Sequence, residues 1–259
     1  MPTKYPIVLV HGVALKEWRI VKAFCRVGKI LREAGYTVYS ADTDGFGSIE
    51  NNATQLKTQI EEILSKENVD RVNIIAHSKG GLDSKYMLQE LNMSQSVASL
   101  TTLSTPHKGS GVASGLYRLP RWLARLIAFW INLWYRIFGD KKPDALTVCR
   151  QLRLTPNDEL ERLNVPDGVY CQSYSATMER YRDDFLMSIP LFFSRRWDEG
   201  ATDGLVTVES AKYAQYRGDC LEEPVSHTEM AGWSLKKKKR RKVYEFYLAL
   251  CRELAEHGF

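Results

Sequence analysis

Short apolar runs alternate with amphipathic segments along most of the chain. The apolar runs have the length and β-branched content of buried parallel strands, and they lie at residues 5–10, 37–40, 72–75, 97–103 and 168–174. Apolar residues recur at helical spacing over residues 18–34, 51–66, 82–91, 145–154, 157–163 and 243–254. Strands and helices that alternate in this way predict a single α/β domain over residues 1–259, with a mostly parallel sheet flanked by helices.

The segment from Val72 to Tyr86 carries the most informative pattern. A buried strand runs directly into the turn Ala76-His77-Ser78-Lys79-Gly80-Gly81, and an amphipathic helix follows. Strand and helix backbones crowd in such a turn, so small residues are needed on both sides of the serine. This pattern is the nucleophile elbow of an α/β-hydrolase, with alanine in place of the first glycine of G-x-S-x-G. The strained turn exposes the hydroxyl of Ser78, which predicts Ser78 as a catalytic nucleophile.

The alternation of strands and helices breaks between residues 110 and 144. This segment is aromatic, and three of the six tryptophans of the chain lie in it. Its apolar stretch is shorter than the roughly twenty residues of a transmembrane helix, and Arg125, Asn132 and Arg136 interrupt it. We predict a helical lid insertion, because the segment follows the strand after the elbow, where it can overhang Ser78. A helix buried in a cap or in a dimer interface is the alternative.

A serine nucleophile needs a base and a carboxylate that orients the base, and this fold supplies them in the chain order serine, acid, histidine. His107 follows the elbow too closely to leave room for the acid, and His257 lies in the C-terminal tail. His227 stands in a loop before the last helix and is the predicted base.

Asp203, in the sequence Thr-Asp-Gly-Leu-Val, is the predicted acid. The glycine after it permits a tight turn, and the apolar residues that follow restart packed structure. Rival carboxylates upstream of His227 remain, and they are Asp167, Asp183, Asp184 and Asp198.

The oxyanion of a tetrahedral intermediate needs two backbone donors. The predicted donors are the amide of Lys79, directly after the nucleophile, and the amide of Val13, in the loop after the first strand. His11 of that loop is expected to order it by hydrogen bonding rather than to act as a base. The side chain of Lys79 is expected to point to solvent.

Four motifs together carry a family resemblance. They are Y-P-I-V-L-V-H-G from Tyr5, A-H-S-K-G-G from Ala76, L-S-T-P-H-K-G-S from Leu103 and T-D-G-L-V-T-V-E-S-A-K from Thr202. Over about residues 5–230 the chain resembles the bacterial triacylglycerol lipases of the Pseudomonas and Burkholderia type. That family usually has glycine at the position of Ala76 and histidine or glutamine at the position of Lys79, so this chain departs from it at both.

The resemblance implies the same site as the argument from the residues. It gives Ser78, Asp203 and His227 as the triad, with Val13 and Lys79 as oxyanion-hole residues. It also implies a mobile lid and interfacial substrates such as acylglycerols.

The resemblance further implies a structural calcium ion in that family, which the chemistry itself does not need. Its ligands include a carboxylate two residues after the catalytic histidine and another upstream of the catalytic aspartate, and Glu229 and Asp183 stand at these places. Glutamate replaces the usual aspartate, however, and the other ligands have no visible match. Surface carboxylates without a metal are the alternative.

Composition is ordinary for a globular protein, with 44% hydrophobic and 26% charged residues and a formal net charge of +5. Much of the positive charge lies in one basic run, residues 236–242, which we interpret as the solvated start of the C-terminal helix. Contact of this run with anionic lipid or nucleic acid is the alternative. Outside the run the chain is close to neutral, which argues against nucleic acid as the main partner.

Cysteine usage and the N-terminus bear on localisation. The five cysteines show no metal-ligand spacing, so they are interpreted as core or free thiols in a reducing compartment, with a single disulfide left open. No signal peptide is visible, and the protein is expected to be cytoplasmic, or secreted if a signal peptide has been removed.

These features predict a serine ester hydrolase that cleaves esters of medium or long acyl chains through an acyl-enzyme on Ser78. The predicted partner is a lipid or ester substrate, with transient contact between the lid and a membrane or lipid interface. The sequence leaves the oligomeric state open. The alternatives are a carboxylesterase, thioesterase or acyltransferase at a membrane surface, or a non-catalytic hydrolase fold that binds lipid.

Overall fold

A six-stranded sheet lies at the centre of the structure, a computed structural model that describes residues 2–13, 23–153, 164–197 and 200–259. The strand order is β2-β1-β3-β4-β5-β6, and every adjacent pair is parallel. The strands are β1 Ile7–Val10, β2 Val38–Ser40, β3 Val72–His77, β4 Val97–Leu103, β5 Tyr170–Ser175 and β6 Gln215–Asp219. The predicted α/β-hydrolase fold class is therefore confirmed.

Helices cover both faces of this sheet. In chain order they are α1 Val27–Glu33, α2 Ile49–Glu67, α3 Lys79–Glu90, α4 Gly111–Tyr117, α5 Arg121–Ile137, α6 Ala145–Gln151, α7 Ser188–Trp197, α8 Val208–Ala211, α9 His227–Met230 and α10 Lys237–Glu256. A short 3₁₀ turn, Ser94–Ser96, precedes β4.

Side chains of the strands alternate between two apolar cores. Ile7 and Leu9 of β1 pack toward α1 and α10, whereas Val8 and Val10 pack toward α2 and α3. All four side chains are at most 1% exposed. A parallel sheet buried on both faces explains why its strands read as continuous apolar runs in the sequence.

Several element boundaries differ from the sequence prediction. The described part of the predicted 18–34 helix is only α1, and the predicted 157–163 helix lies outside the described residues. The apolar period of the last helix starts at residue 243, but the helix itself begins at Lys237. This agrees with the prediction that the basic run forms its start, since lysine and arginine are good helix formers. The sequence did not predict α7, whose apolar residues lack a clear period.

The aromatic segment after β4 forms α4 and α5. Much of the apolar surface of α5 is exposed, including Trp122 at 69% and Trp130 at 61%. The Asn132 side-chain oxygen accepts from the amide of Ala145 at 2.8 Å, which ties α5 to α6. Within the described residues, no helix combines the length and the apolar character that a membrane span requires.

Two aspartates clamp the C-terminal end of α5 to the loop after β2. Asp44 accepts hydrogen bonds from the amides of residues 141–142 at 2.9 and 2.7 Å. In return, Asp140 accepts from the amides of residues 45–46 at 3.0 and 2.9 Å. Both aspartates are buried, so this reciprocal clamp fixes one end of α5 on the sheet domain.

Candidate active site

Ser78 stands in a strained turn between β3 and α3. Its φ is +56° and its ψ is −135°, a conformation that non-glycine residues rarely adopt. A Cβ added at Gly80 would lie 2.5 Å from the carbonyl oxygen of His11, so only glycine fits there. These are the features predicted for a nucleophile elbow.

Two contacts, one with β4 and one with the turn that follows it, hold the elbow in place. The Ser78 amide donates to the carbonyl of Leu103 at 2.9 Å. The hydroxyl of Thr105 donates to the carbonyl of Ser78 at 2.8 Å. Both backbone polar groups of the serine are thus engaged with the β4 side of the sheet, and its side chain is left for chemistry.

His227 and Asp203 are hydrogen bonded to each other, as the triad requires. The His227 Nδ1–H donates to Asp203 Oδ2 at 2.7 Å, and the His227 amide donates to the Asp203 carbonyl at 2.9 Å. Asp203 is 0% and His227 6% exposed. The bond from Nδ1 fixes the tautomer that leaves Nε2 as the base.

The environment of Asp203 favours its ionised form. Burial raises the pKa of the carboxyl group, but the charge of His227 and its hydrogen bond lower it, and so do the amides of Leu205 and Val206. These two amides donate to Asp203 Oδ1 at 2.9 and 2.8 Å. The net pKa is below the ordinary value, so Asp203 is a carboxylate that can stabilise an imidazolium.

The ring of His77 packs on His227 and so connects the serine turn with the histidine and aspartate pair. His77 directly precedes Ser78, and its ring centroid lies 4.5 Å from that of His227. Burial, together with the charge of His227, lowers the pKa of His77 to about 3. His77 is therefore neutral near pH 7 and adds no competing positive charge beside the base.

The turn that carries His227 is fixed at its own start. Ser226 and Glu229 form a capping box, in which each side chain accepts from the other residue's amide at 3.2 Å. Asp184 Oδ2 accepts from the hydroxyls of Ser226 and Thr228, both at 2.5 Å. Asp184, a rival acid in the sequence, thus supports the histidine turn instead of contacting the imidazole.

Within the described residues, no hydrogen bond joins any of the remaining rivals to the ring of His227. Asp183 accepts from the amide of Arg180, and Asp167 lies in an exposed turn. Asp198 lies outside the described residues. His107 stacks on Tyr213 with ring centroids 4.5 Å apart. The exposed His257 lies just beyond the end of α10.

The loop after β1 crosses directly over the elbow. A Cβ added at Gly12 would lie 2.6 Å from Ser78 Cβ and 2.8 Å from the Lys79 nitrogen. The next peptide, that of Val13, is therefore adjacent to the amide that opens α3. His11 Nδ1 lies 2.8 Å from the carbonyl of Gly12, consistent with a role in ordering this loop.

The side chain of Lys79 does not point to solvent, and this prediction was wrong. It is 0% exposed, and its Nζ donates to Asp83 Oδ1 at 2.7 Å, one helical turn along α3. The side chain folds back along the helix because a buried carboxylate at i+4 offers a charged partner.

The ion pair continues into a buried polar network. Asn52 donates from Nδ2 to Asp83 Oδ2 at 3.1 Å and to the carbonyl of Asp44 at 2.7 Å. Through Asp44 the network reaches the clamp at the end of α5. A chain of buried hydrogen bonds therefore connects the residue after Ser78 to the base of the aromatic helix.

Glu229, at the position of one of the family's calcium ligands, does not fit a calcium ion. Glu229 accepts from the amide of Ser226, from the Ser234 hydroxyl at 2.8 Å and from Lys239 Nζ at 2.8 Å. Its charge is thus neutralised by a buried lysine rather than left for a cation. Among the described residues, no cluster of three or more histidine, cysteine, aspartate or glutamate side chains has the arrangement of a metal site.

Sequence reasoning missed the supporting roles of several residues. Thr105, Asp184 and Lys239 act through contacts with residues distant in sequence, so no local pattern marks them. The motif around the serine does contain His77, but only the fold shows its ring against His227. All five cysteines are free thiols in the structure, which leaves the single disulfide without support.

Comparison with known proteins identifies the family. The family described as palmitoyl protein thioesterase matches residues 6–140. Triacylglycerol lipase 2 of Saccharomyces cerevisiae is 28% identical over 255 residues, which cover 90% of this chain and 73% of that protein. A triacylglycerol lipase of Burkholderia plantarii is 37% identical over 194 residues, 68% of this chain. The chain spans about half the length of this bacterial relative, 53%.

Solved structures support the same assignment at the level of the fold. The lipase of Staphylococcus hyicus superposes with a TM-score of 0.72 at 14% identity, over 98% of this chain and 96% of that one. The predicted resemblance to bacterial triacylglycerol lipases is confirmed by the sequence relatives. The chain therefore belongs to the palmitoyl protein thioesterase family and is a carboxylic ester hydrolase of the α/β-hydrolase fold, related to bacterial triacylglycerol lipases.

Proposed function

We propose that the chain cleaves lipid esters of medium or long acyl chains through an acyl-enzyme on Ser78. The observation that carries this proposal is the 2.7 Å bond between buried Asp203 and His227, beside a serine held in an elbow conformation. A carboxylate, an imidazole with a fixed tautomer and a strained serine are together the parts of nucleophilic acyl transfer.

The proposed mechanism follows from these positions. Ser78 Oγ attacks the ester carbonyl carbon while His227 Nε2 takes its proton, and Asp203 stabilises the imidazolium. The amides of Lys79 and Val13 donate to the oxyanion, and the N-terminus of α3 favours its charge. The intermediate collapses when the alkoxide leaves with the proton from His227. Water, deprotonated by His227, then attacks the acyl-enzyme and releases the carboxylic acid and Ser78.

The apolar region around α5 supports a preference for longer acyl chains. A cavity of about 320 Å³ lies between α5 and α6, and most of its lining is apolar, including Leu119, Ile127, Ile131 and Leu146. The exposed tryptophans of α5 are amphipathic side chains typical of membrane–water interfaces. We propose that α5 is the lid and that it meets a lipid interface. The sequence relatives named triacylglycerol lipase indicate triacylglycerols as the substrate class.

A thioester of a long acyl chain is the second candidate substrate, because the matching family is described as palmitoyl protein thioesterase. The acyl-enzyme is the same in both reactions, and only the leaving group differs. The triad and the oxyanion donors act on the acyl carbonyl in the same way in both reactions, so the two substrates are separated by experiment.

Hydrolysis of p-nitrophenyl esters from acetate to palmitate, and of palmitoyl-coenzyme A, tests the proposal. We expect Ser78→Ala to lower kcat by about 10⁴-fold or more, while Ser65→Ala, an exposed helix serine, keeps wild-type activity. Activity that rises with chain length supports a lipase. Turnover of acetate and butyrate esters alone contradicts the preference for long chains, and Ser78→Ala with full activity contradicts the mechanism. Faster cleavage of the thioester than of the palmitate ester favours the second candidate.

A further inference from the structure

Two exposed apolar segments flank the turn that carries His227. Phe185 is 87% and Leu186 70% exposed, just before α7. Leu235 is 99% exposed, just before α10. Large apolar side chains exposed together are typical of sites that contact another apolar phase.

Hydrogen bonds hold these two segments side by side. Lys236 Nζ donates to the carbonyl of Asp183 at 3.2 Å, which joins them directly. Asp184 is bonded to the hydroxyls at the start of the His227 turn, and Ser234 is bonded to Glu229 at 2.8 Å in that same turn. Both segments are thus fixed to the turn and form one surface beside the base.

The basic run divides into two halves with different roles. Its later members have partners within the chain, since Lys239 pairs with Glu229 and Lys242 with Glu223, both at 2.8 Å or less. Lys237 and Lys238 are exposed, and no ion pair engages them in the part of the chain that the structure describes. The half of the run next to Leu235 therefore presents its positive charge outward.

We infer that this surface docks the protein on an anionic phospholipid bilayer. We define the docking patch as Phe185, Leu186, Leu235, Lys236, Lys237 and Lys238. The apolar side chains insert at the level of the headgroups and the ammonium groups meet lipid phosphates, which is the charge pattern of an interfacial membrane site. Apolar tips surrounded by lysines match an anionic bilayer better than they match a neutral one or a nucleic acid.

The docking patch is separate from α5, so this inference assigns membrane docking and opening of the lid to different parts of the molecule. With the patch on the bilayer, the His227 turn lies at the membrane surface. This consequence for substrate access rests on the proposed function, whereas binding to lipid does not. Docking supplies the interface, and α5 is then free to open toward it.

Vesicle sedimentation with the full chain tests the inference. The probes are vesicles of phosphatidylcholine alone and of phosphatidylcholine with phosphatidylglycerol. The patch variants are Leu235→Ser and the pair Lys237→Gln with Lys238→Gln. The matched controls are Val165→Ser and the pair Lys29→Gln with Lys66→Gln, which remove one apolar side chain and two ammonium groups from exposed positions elsewhere.

We expect the wild type to bind anionic vesicles and to bind neutral ones at least tenfold more weakly. The lysine pair should lower the partition coefficient by about tenfold or more, and Leu235→Ser should lower it by severalfold. Both control variants should bind as the wild type does. Patch variants that bind like the controls, or binding lost only in Trp122→Ser of α5, would overturn the inference. Loss in the lysine pair with none in Leu235→Ser also overturns it, because a polyanion alone then explains the binding.

Hydrolysis of p-nitrophenyl butyrate, a soluble ester, separates this inference from the proposed function. We expect all patch variants to cleave it at the wild-type rate, since no patch residue belongs to the triad or oxyanion hole. If vesicle binding follows the expected pattern but neither the wild type nor any variant hydrolyses the ester, the proposed function fails while the docking patch stands. If all proteins hydrolyse the ester normally and the patch variants bind vesicles as the wild type does, the docking patch fails while the proposed function stands.

Discussion

Lys79 shows at the scale of one residue how the environment decides the role of a side chain. Its amide lies at the start of α3 beside Ser78, while its ammonium group is buried against Asp83. Burial raises the pKa of Asp83 to about 6, and the charge of Lys79 opposes this shift. The two charges are therefore stable in the interior only as a pair, because removing one leaves the other unpaired and without water.

Removing one member of the pair should cost more than removing both. We expect Lys79→Met and Asp83→Leu each to lower the free energy of unfolding by about 3–5 kcal/mol. The double variant should lose much less than the sum, because two apolar side chains leave no unpaired charge. Urea unfolding of the four proteins measures this coupling.

The exposed pair Lys57 and Glu61, 4.0 Å apart on α2, is the matched control. The same substitutions there should change the free energy of unfolding by less than about 1 kcal/mol. Losses that add without coupling at Lys79 and Asp83 would refute the ion pair as the source of the stability.

At the scale of elements, α5 is an amphipathic helix held mainly at its C-terminal end. The reciprocal clamp of Asp44 and Asp140 bonds that end to the loop after β2, and the ring of Tyr135 packs on Phe46 at 4.7 Å between centroids. The face opposite these contacts is exposed. One end of α5 is thus fixed and one apolar face is exposed, which supports the proposed role of α5 as a lid.

Loss of the clamp should loosen α5 without affecting the triad. We expect Asp140→Ala to lower the free energy of unfolding by about 2–4 kcal/mol, because two buried amides lose a charged acceptor. Hydrogen exchange followed by mass spectrometry should show faster exchange at residues 45–46 and in the C-terminal half of α5. The exposed Asp70→Ala is the control and should change neither quantity. Unchanged exchange in α5 would show that its packing, rather than the clamp, fixes it.

At the scale of the whole molecule, the site is assembled where the parallel strands end. Ser78 follows β3, Asp203 lies between β5 and β6, and His227 follows β6. The carboxyl ends of parallel strands meet at one edge of the sheet, which is where ligands bind in open α/β folds. Buried titratable groups collect at this edge, so global stability depends on pH through them.

The stability of the whole protein should fall on acidification partly because of His77. Its pKa is about 3 in the folded state, against about 6.5 in the unfolded chain. Between these values the unfolded state binds more protons, so this histidine destabilises the fold as pH falls from 6.5 toward 3. Asp83, whose pKa is raised, acts in the opposite direction between its unfolded value and about 6.

Comparing the wild type with His77→Gln isolates the histidine, because Asp83 and the other groups are present in both proteins. From pH 7 to pH 5 the wild type should lose about 2 kcal/mol more free energy of unfolding than the variant does. Urea unfolding at both pH values measures the difference. His257→Gln, at an exposed histidine, should behave as the wild type, and an equal loss in His77→Gln would contradict the lowered pKa.

The sequence by itself determined five of the six strands, the elbow and the identity of the predicted triad, whereas the exposed edge strand β6 has no apolar run that marks it. Buried parallel strands require continuous apolar runs, and the turn at Ser78 requires small neighbours, so both leave local patterns. The order of serine, acid and histidine along the chain then restricted the choice to His227 and favoured Asp203. These features depend on residues close in sequence or on chain order alone.

Only the tertiary structure decided which rival carboxylates serve the site and where charged side chains point. Asp184 binds the start of the His227 turn, Glu229 pairs with Lys239, and the side chain of Lys79 is buried against Asp83. Burial and the partners it brings depend on segments far apart in the chain, and a charged residue has the same local pattern whether it is solvated or paired. The fold was therefore predictable from local apolar periodicity, whereas the electrostatics of the site required the packed molecule.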